Sequence, residues 1–562
     1  MRRCRVANAG GCLLLAMSIT AHGVEIETGN PDVKVHWDNT VAYTAAWRVR
    51  QPSATLIDAS PTAINQDDGD RSFRRGLVTS RFDLYSEIDV SYRNFGVRAS
   101  GAAWYDDVYN HANDNDSPFT FNPVSVPHDR FTGATRDLLG RHAEWLDYFV
   151  FGKADLGTTS ASFRAGNHAL VWGESLFLGA NGIAGAQQPV DIVKLLSVPN
   201  TPFRELIRPV GQVSGQLQIT SEIAVAAYYQ YHWDKTRLPA AGSYFSTIDV
   251  LDAGGERLIV GAPLVEGGGP AAFFRGADRA AKDGGQWGVQ LKIRHGPVDY
   301  GLYAVRYHDK TPQIYLRPSV LQLAQAPPIV LDPSTFNPLA GEIGTYSLVY
   351  PENVDAYGAS FSTAIEEVNI AGEISMRRHT PLVSDPQVVP PGTIADADRH
   401  ALYAVGNSLH AQLSWIWQIS PNALSRESSL VGEVGWNRRM SITKNPAALD
   451  PNVTRDAWAL RLVYEAKYRQ VLPGLDLSVP IGIGYNPSGN SSVVANFNGG
   501  AEHGGDVTIG VNGAYLDRWR FGLSYTHYFG PAGAFLDANN FISGKQSLAD
   551  RDFVALTLRT TF

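Results

Sequence analysis

Long segments of the chain alternate between apolar and polar residues with a period of two. In the segment VKVHWDNTVAYTAAWR (33–48), Trp37 and Val41 share one parity, and Lys34 and His36 share the other. Because successive side chains of a strand point to opposite faces, this pattern predicts a strand with one apolar and one polar face. The same alternation returns in residues 78–93, 455–468 and 518–529.

The length of these segments favours strands that cross a membrane. Strands in soluble proteins have about 5–6 residues, whereas a tilted strand needs about 9–11 residues to cross a bilayer. Trp47, Tyr92 and Trp458 fall near segment ends, as in the aromatic girdles of membrane barrels. In lipid every backbone polar group must be paired, so a β protein spans only as a closed cylinder. We therefore expect an all-β fold, a transmembrane antiparallel β-barrel. A soluble sandwich or propeller is the alternative.

The number of such segments predicts the size of the barrel. Eighteen segments qualify, and sixteen remain if 298–309 and 401–419 are split or excluded. The eighteen are 33–48, 77–93, 95–106, 144–156, 158–167, 210–220, 222–233, 285–295, 298–309, 354–364, 367–378, 401–419, 428–441, 455–469, 473–485, 506–515, 518–529 and 551–562. Bacterial barrels prefer even numbers, and a barrel of 16–18 strands has a lumen wide enough for solutes unless it is plugged.

The connections between these segments are of two kinds. Asn94 and residues 153–158 are turn-sized, whereas long stretches rich in Gly, Pro, Asn and Asp predict irregular outward loops. These loops are 49–76, 107–143, 234–284, 310–353 and 379–399. In the first of them, Asp67, Asp68 and Asp70 could hold a divalent cation, but without the spacing of a calcium loop a solvated turn is the favoured interpretation. We predict no metal site and no cofactor.

Residues 189–210 (PVDIVKLLSVPNTPFRELIRPV) interrupt the alternation. Their apolar positions are near helical spacing and predict two short helices that Pro199 and Pro202 divide, with Asn200 and Thr201 able to cap the second. We expect these helices to fold into or near the lumen as a plug or constriction. An external loop with two helical turns is the alternative.

Charged residues in and near this segment are the candidates for the constriction, because charges are costly on a lipid-facing surface. They are Arg164, Glu174, Asp191, Lys194, Arg204 and Arg208. The alternative is that these residues form salt bridges that only hold the segment in place.

The two ends of the chain predict export and assembly. Residues 1–23 combine Arg2, Arg3 and Arg5 with a short apolar run and a small-x-small site, the layout of a signal peptide. We therefore expect residues 24–562 to form the barrel. The final amphipathic segment closes on Phe562, which resembles the signal read by the barrel assembly machinery. Together these features predict the outer membrane of a Gram-negative bacterium, with its lipid and lipopolysaccharide around the barrel.

Composition excludes several other classes of protein. Only 18% of the residues are charged, and 55 acidic residues outnumber 47 basic ones, so nothing suggests binding of nucleic acid. No segment after the leader has the roughly 18 consecutive apolar residues of a membrane helix. Neither a G-x-S-x-G elbow nor an H-E-x-x-H motif occurs. His410 and His527 lie among Ser and Asn residues, but we do not expect an enzyme.

Several segments resemble one known family. The runs 172–177 (WGESLF), 181–183 (NGI) and 190–195 (VDIVKL) are similar to the centre of a Gram-negative outer-membrane family labelled domain of unknown function thirteen-oh-two. Residues 67–71, 81–82, 92–96 and 242–247 are similar to other parts of it. Members tend to be encoded with a periplasmic lipid-carrier-like protein and a resistance-nodulation-division exporter. The resemblance therefore implies an exported barrel that handles lipids or other hydrophobic compounds with such partners.

Pattern and resemblance together predict an outer-membrane channel or transporter, with hydrophobic cargo expected from the resemblance. A general diffusion porin for small polar solutes is the first alternative. A structural surface barrel and a membrane-embedded hydrolase are further alternatives.

Overall fold

The computed structural model describes residues 24–57, 61–157, 159–198, 203–321 and 329–562, so the predicted signal peptide lies outside the described residues. Eighteen antiparallel strands form a barrel. They are β1 Val33–Arg48, β2 Gly76–Tyr92, β3 Phe95–Asp106, β4 Arg141–Leu156, β5 Thr159–His168, β6 Val210–Gln218, β7 Ile223–Gln230, β8 Gln286–His295, β9 Val298–Tyr307, β10 Val354–Ile365, β11 Val368–Pro381, β12 Val405–Ile419, β13 Glu427–Lys444, β14 Asp456–Leu472, β15 Leu475–Ser488, β16 Gly505–Tyr515, β17 Trp519–Phe529 and β18 Phe553–Thr561.

Each strand pairs with the next, and β18 pairs with β1 to close the cylinder. At the seam Thr40 lies opposite Thr561, and Asn39 exchanges two backbone hydrogen bonds with Phe562, of 2.8 and 2.9 Å. The segment Val24–Ile26 pairs with Val35 to Trp37 of β1, which lie outside the part of β1 that pairs with β18. The predicted fold class is confirmed, and the number of strands is eighteen. Segments 298–309 and 401–419, whose exclusion would have left sixteen strands, form β9 and β12.

The two faces of the wall differ as the alternation predicts. On β2 the outward side chains are apolar and exposed, and Phe82 is 59% exposed. The inward side chains of β2 carry charge, and Glu87 and Asp89 both pair with Arg98 of β3. This arrangement puts an apolar belt outside and a polar surface inside, as a barrel in a bilayer requires.

Connections alternate between short turns and long loops. Turns such as residues 93–94, 296–297 and 366–367 lie at one end of the barrel, which we name the turn end. All long connections lie at the other end, which we name the loop end. Among the described residues no helix is both long and apolar enough to cross a bilayer.

The long loops contain more regular structure than the sequence predicts. A five-stranded sheet connects three loops that we expected to be irregular. Its strands are Arg257–Gly261, Ala271–Arg275, Gln313–Pro318, Glu342–Val349 and Gln387–Val388, and a separate pair is Val320–Leu321 with Ile329–Val330. Tyr315, Tyr346 and Leu348 of this sheet are fully buried. These strands are short and covered by other loops, so their residues do not alternate in polarity.

Helical segments are short. The α-helices are Ala54–Ile57, Asp68–Arg71, Gly133–Thr135 and Ile192–Ser197, with a π-helical turn at Arg136–Gly140. The 3-10 turns are Pro61–Asn65, Val108–Asn110, Ala184–Ala186, Phe203–Glu205, Pro333–Thr335, Pro446–Ala448 and Phe497–Gly499. The helix Ile192–Ser197 and the turn Phe203–Glu205 fall where two helices were predicted, whereas the capping residues Asn200 and Thr201 lie outside the described residues.

The favoured interpretation of the acidic run as a solvated turn is wrong. Asp67 and Asp68 are fully buried, and Asp249 from a distant loop joins them, so that one carboxylate oxygen of each lies within 4.8 Å of the others. Asp249 Oδ2 accepts the backbone N–H of Asp68 at 3.1 Å, and Asn115 donates to the Asp68 carboxylate at 3.2 Å. Contacts between loops, which the local sequence does not encode, exclude water here.

Candidate functional site

Residues 172–188, in the connection between β5 and β6, fold inward, and we name them the inner loop. Trp172 packs against Tyr228 of β7 and Tyr303 of β9, with ring centroids 5.0 and 6.3 Å away. Ile183 belongs to the same buried cluster. Further along, Leu178 is buried in a cluster with Ala459 of β14. The inner loop therefore follows the inner wall from β7 to β14.

Glu433 of β13 fixes the first part of the inner loop. Its carboxylate accepts the hydroxyl of Ser175 at 2.9 Å and the backbone N–H groups of Leu176, Phe177 and Leu178 at 3.3, 2.5 and 2.7 Å. Glu433 is fully buried. Hydrogen bonds to a charged acceptor are stronger than neutral ones, so this one side chain orders four consecutive residues.

Two residues of β11 fix the rest. The Glu373 carboxylate accepts the backbone N–H of Glu174 at 2.9 Å and that of Ile183. Arg377 lies four residues further along β11 and on the same face. It donates to the carbonyl oxygens of Ala180 and Gly182 at 2.8 and 2.9 Å. The wall thus supplies an acceptor where the loop presents N–H groups and a donor where it presents carbonyls. These contacts hold the loop by its backbone.

A buried polar chain lies beneath the inner loop. The ring of His410 is 2.7 Å from the Ser408 hydroxyl and 3.0 Å from Asn181 Oδ1. Asn437 donates to the same oxygen at 3.1 Å. A Ser–His–Asn order is that of an activated nucleophile, but Ser408 and His410 are at most 1% exposed. In this arrangement a substrate cannot reach Ser408, so the contacts serve to seat Asn181.

The second histidine of interest lies elsewhere. His527 Nδ1 is 2.7 Å from Asp552 Oδ2, which also accepts the hydroxyl of Tyr525 at 3.0 Å. No serine hydroxyl is among the described hydrogen-bond partners of His527.

The return part of the connection is held at the loop end by an ion-pair network. Glu144 of β4 binds Arg208 at 3.0 Å and Arg237 at 2.6 Å, and Arg237 also binds Asp191 at 2.9 Å. Asp191 caps the helix Ile192–Ser197 by accepting the backbone N–H of Lys194 at 2.9 Å. Exposed ion pairs contribute little, but a shared, largely buried network with several hydrogen bonds contributes more.

The candidates predicted from sequence are dispersed over this region. Arg164 lies on the inward face of β5, with its guanidinium 5.6 Å from the ring centroid of Phe149. Glu174 belongs to the inner loop, Asp191 and Arg208 belong to the ion-pair network, and Lys194 donates to the carbonyl oxygen of Glu205 at 2.8 Å. The side chain of Arg204 lies outside the described side chains. A role of these residues in a constriction stays a prediction.

Sequence reasoning missed the wall residues that hold the inner loop. Glu373, Arg377 and Glu433 are on the polar parity of β11 and β13, like many other charged residues of the barrel. All that the sequence shows is two acidic residues and one basic residue on strands that are far from the loop in the chain. The sequence gives no reason to connect them with residues 172–188, because the contact depends on how far the loop reaches.

Fold and inner loop together define a large membrane-type β-barrel with a loop ordered on its inner wall. The chain belongs to the family described as "Protein of unknown function (DUF1302)", whose profile matches residues 4–562. A comparison with curated proteins gives no match.

Among solved structures the chain is similar to several outer-membrane proteins. For Acinetobacter baumannii OccAB4 the identity is 9% and the TM-score 0.41, covering 95% of this chain and 100% of that one. For Pseudomonas aeruginosa OccK2 (OpdF) in complex with glucuronate the identity is 9% and the TM-score 0.38, covering 94% of this chain and 98% of that one. For Salmonella typhi OmpF in complex with daunomycin they are 7% and 0.35, with 96% and 100% covered.

Proposed function

We propose that this protein is an outer-membrane channel or transporter in which the inner loop sets the width of the lumen. The observation that carries the proposal is the pair of buried wall carboxylates, Glu373 and Glu433, that hold the loop backbone. A barrel that only needed a filled interior could use apolar packing, whereas charged acceptors bind the loop at defined points. The closed barrel with its exposed apolar belt supports a location in the outer membrane.

The geometry favours a narrowed passage. The inner loop covers the inner wall from β7 to β14, and the opposite wall keeps its charged residues. At the turn end of that wall a cavity of about 410 Å³ is lined by residues that include His36, Asp89, Arg98 and Lys153. Charged side chains around a wet cavity suit the mouth of an aqueous path.

The cargo we propose is a lipid or another hydrophobic compound, handed over with a periplasmic lipid carrier and a resistance-nodulation-division exporter. What supports this is the resemblance described above, whose members tend to be encoded beside such partners. A diffusion porin for small polar solutes is the second candidate, and the charged residues around the turn-end cavity favour it.

The test is the conductance of purified protein in planar bilayers. In Glu373→Gln combined with Glu433→Gln, each side chain keeps one acceptor oxygen and presents an NH₂ group to the loop N–H groups. Leaving buried groups unpaired costs about 1–3 kcal/mol each, so we expect the loop to detach and the conductance to rise severalfold. Glu465→Gln is the matched control, because Glu465 lies on β14 and its described ion pair is with Lys467.

An unchanged conductance in the double variant, with the inner loop equally resistant to protease, would disprove the role of the loop.

The cargo is tested on the same proteins in liposomes. Transfer of a fluorescent phospholipid from liposomes to an acceptor, without swelling in small sugars, supports hydrophobic cargo. Swelling in sugars without lipid transfer favours the diffusion porin.

A further inference from the structure

A second cavity opens on the outer face of the barrel wall, away from the inner loop. Its volume is about 540 Å³, within the range of pockets for small organic ligands. Residues of β3, β4 and β5 line it together with the segments that precede β6 and follow β7. The main lining residues are Ala99, Trp145, Tyr148, Asn167, Arg208 and His232. We name this cavity the wall cleft.

The cleft exists because β4 continues beyond its neighbour. The last residue of β4 paired with β5 is Tyr148, opposite Asn167. Residues 141–147 of β4 pair only with β3, so these seven residues have no described strand beside them on the β5 side. A strand edge offers N–H and C=O groups for pairing, and side chains bind some of them here: Asn167 Nδ2 donates to the Leu146 carbonyl at 2.5 Å, and the Asp147 N–H donates to Ser100 Oγ at 3.0 Å.

The cleft borders the apolar belt. Trp145 is 73% exposed and Tyr148 is about half exposed. They differ in parity, but a register shift between them places both on the lipid-facing side of β4, opposite Gly101 and Ala99 of β3. Beside the free edge, β3 and β2 still direct Tyr105 and Phe82 outward. One side of the cleft is therefore apolar and aromatic, and the other side is the polar ends of β5 to β7.

The polar side has donors and acceptors, and its described charged groups already have hydrogen-bonded partners. Arg208 binds Glu144 at 3.0 Å, and His232 lies 3.1 Å from Asp283. Asp234 accepts the backbone N–H of Lys235 at 2.8 Å. Because Arg208 and His232 already contact carboxylates, a negative charge on a ligand would compete with Glu144 and Asp283.

We propose that the wall cleft binds an uncharged amphiphile from the surrounding lipid. Its apolar body lies against Trp145 and Tyr148, and its hydroxyl or ester end takes hydrogen bonds from Arg208 and the polar edge of β4. The proposal concerns the outer face of the wall and does not depend on conductance through the lumen. An aromatic ring exposed next to polar side chains suits a molecule with one apolar and one polar end.

The test uses a monoacylglycerol with a fluorescent group on its acyl chain, titrated against the full protein in nanodiscs. We expect saturable binding that Trp145→Ala weakens roughly tenfold or more, as for loss of a central aromatic anchor. Trp458→Ala is the matched control, because Trp458 is an exposed aromatic residue at the loop end of β14. The fatty acid with the same label should bind more weakly than the monoacylglycerol.

A second variant keeps the test valid if Trp145→Ala fails to fold. The chain has two cysteines, Cys4 and Cys12, both in the predicted leader. A bulky maleimide on Tyr148→Cys should therefore block the cleft and abolish binding. Equal loss in Trp458→Ala, binding that survives the block, or tighter binding of the fatty acid would each overturn the proposal.

Discussion

At the scale of single residues, the acid triad Asp67, Asp68 and Asp249 connects two loops through groups that water does not reach. Burial raises the pKa of Asp67 to about 6 and that of Asp249 to about 8, and burial with the charges of its neighbours raises the pKa of Asp68 well above its usual range. Asp67 also binds Arg71 at 2.5 Å. At a pH between their unfolded and folded pKa values, such carboxyl groups are protonated in the folded state and ionised in the unfolded one.

The stability of these loops should therefore fall as the pH rises. An unfolded Asp has a pKa of about 3.9, so the folded state binds more protons between about pH 4 and pH 8, and stability is lost across that window. Asp249→Asn keeps an acceptor for the Asp68 N–H group without the charge. We expect it to raise the free energy of unfolding at pH 8 by on the order of 2 kcal/mol, with no gain near pH 4.

Urea titrations followed by proteolysis of the loops would measure this difference. Asp107→Asn is the control, since the Asp107 side chain is 59% exposed, and it should show no such dependence on pH. A gain from Asp249→Asn that is larger at pH 4 than at pH 8 would contradict the assignment of a protonated triad.

At the scale of elements, the end of β5 determines where the chain leaves the wall for the lumen. Gly166 has a φ of +134°, and a Cβ atom there would lie 2.3 Å from the carbonyl oxygen of Tyr148 on β4. Gly215, on the neighbouring β6, has ordinary space, with the nearest atom 3.5 Å away. The two glycines are on adjacent strands and differ in whether a side chain fits.

We expect Gly166→Val to separate β5 from β4 and to destabilise the barrel by about 2 kcal/mol or more. Gly215→Val should have little effect, because a Cβ atom there makes only an ordinary contact of 3.5 Å with the Ser162 carbonyl oxygen. The midpoint of urea unfolding, followed by the mobility of the folded form on gels, measures both. Equal midpoints for the two variants would mean that the end of β5 can move away from β4 to accommodate a side chain at position 166 without loss of stability.

The elements were predictable to different degrees. All eighteen barrel strands follow from alternation, because each one separates lipid from lumen along its whole length. Segment 298–309 alternates weakly, since Ala304 and Arg306 share the parity of Tyr300 and Leu302, yet it forms β9. The loop sheet could not be predicted, because Tyr315 and Leu348 are buried by other loops. Glu433 could not be recognised as a loop anchor, because its partners are about 255 positions away in the chain.

At the scale of the whole molecule, closure of the cylinder joins the two ends of the sequence. Phe562 forms two backbone hydrogen bonds with Asn39, and these do not depend on the identity of its side chain. The side chain of Phe562, which we predict to be the assembly signal, can therefore be changed without removing the closing contacts. Closure of the barrel thus uses the backbone of Phe562, whereas the predicted recognition by the assembly machinery uses its side chain.

Phe562→Ala should lower the amount of folded barrel in the membrane of living cells severalfold, because the assembly machinery would lose the aromatic residue that it reads. Refolding of the same variant from urea into detergent should match the wild type, because the backbone bonds to Asn39 remain. Folded barrel is measured in both cases as the species that migrates faster before boiling than after it. Phe562→Tyr, which keeps the ring, is the control and should assemble normally. Normal accumulation of Phe562→Ala in cells would exclude the role as a signal, and an equal defect in detergent would assign the side chain to closure of the barrel itself.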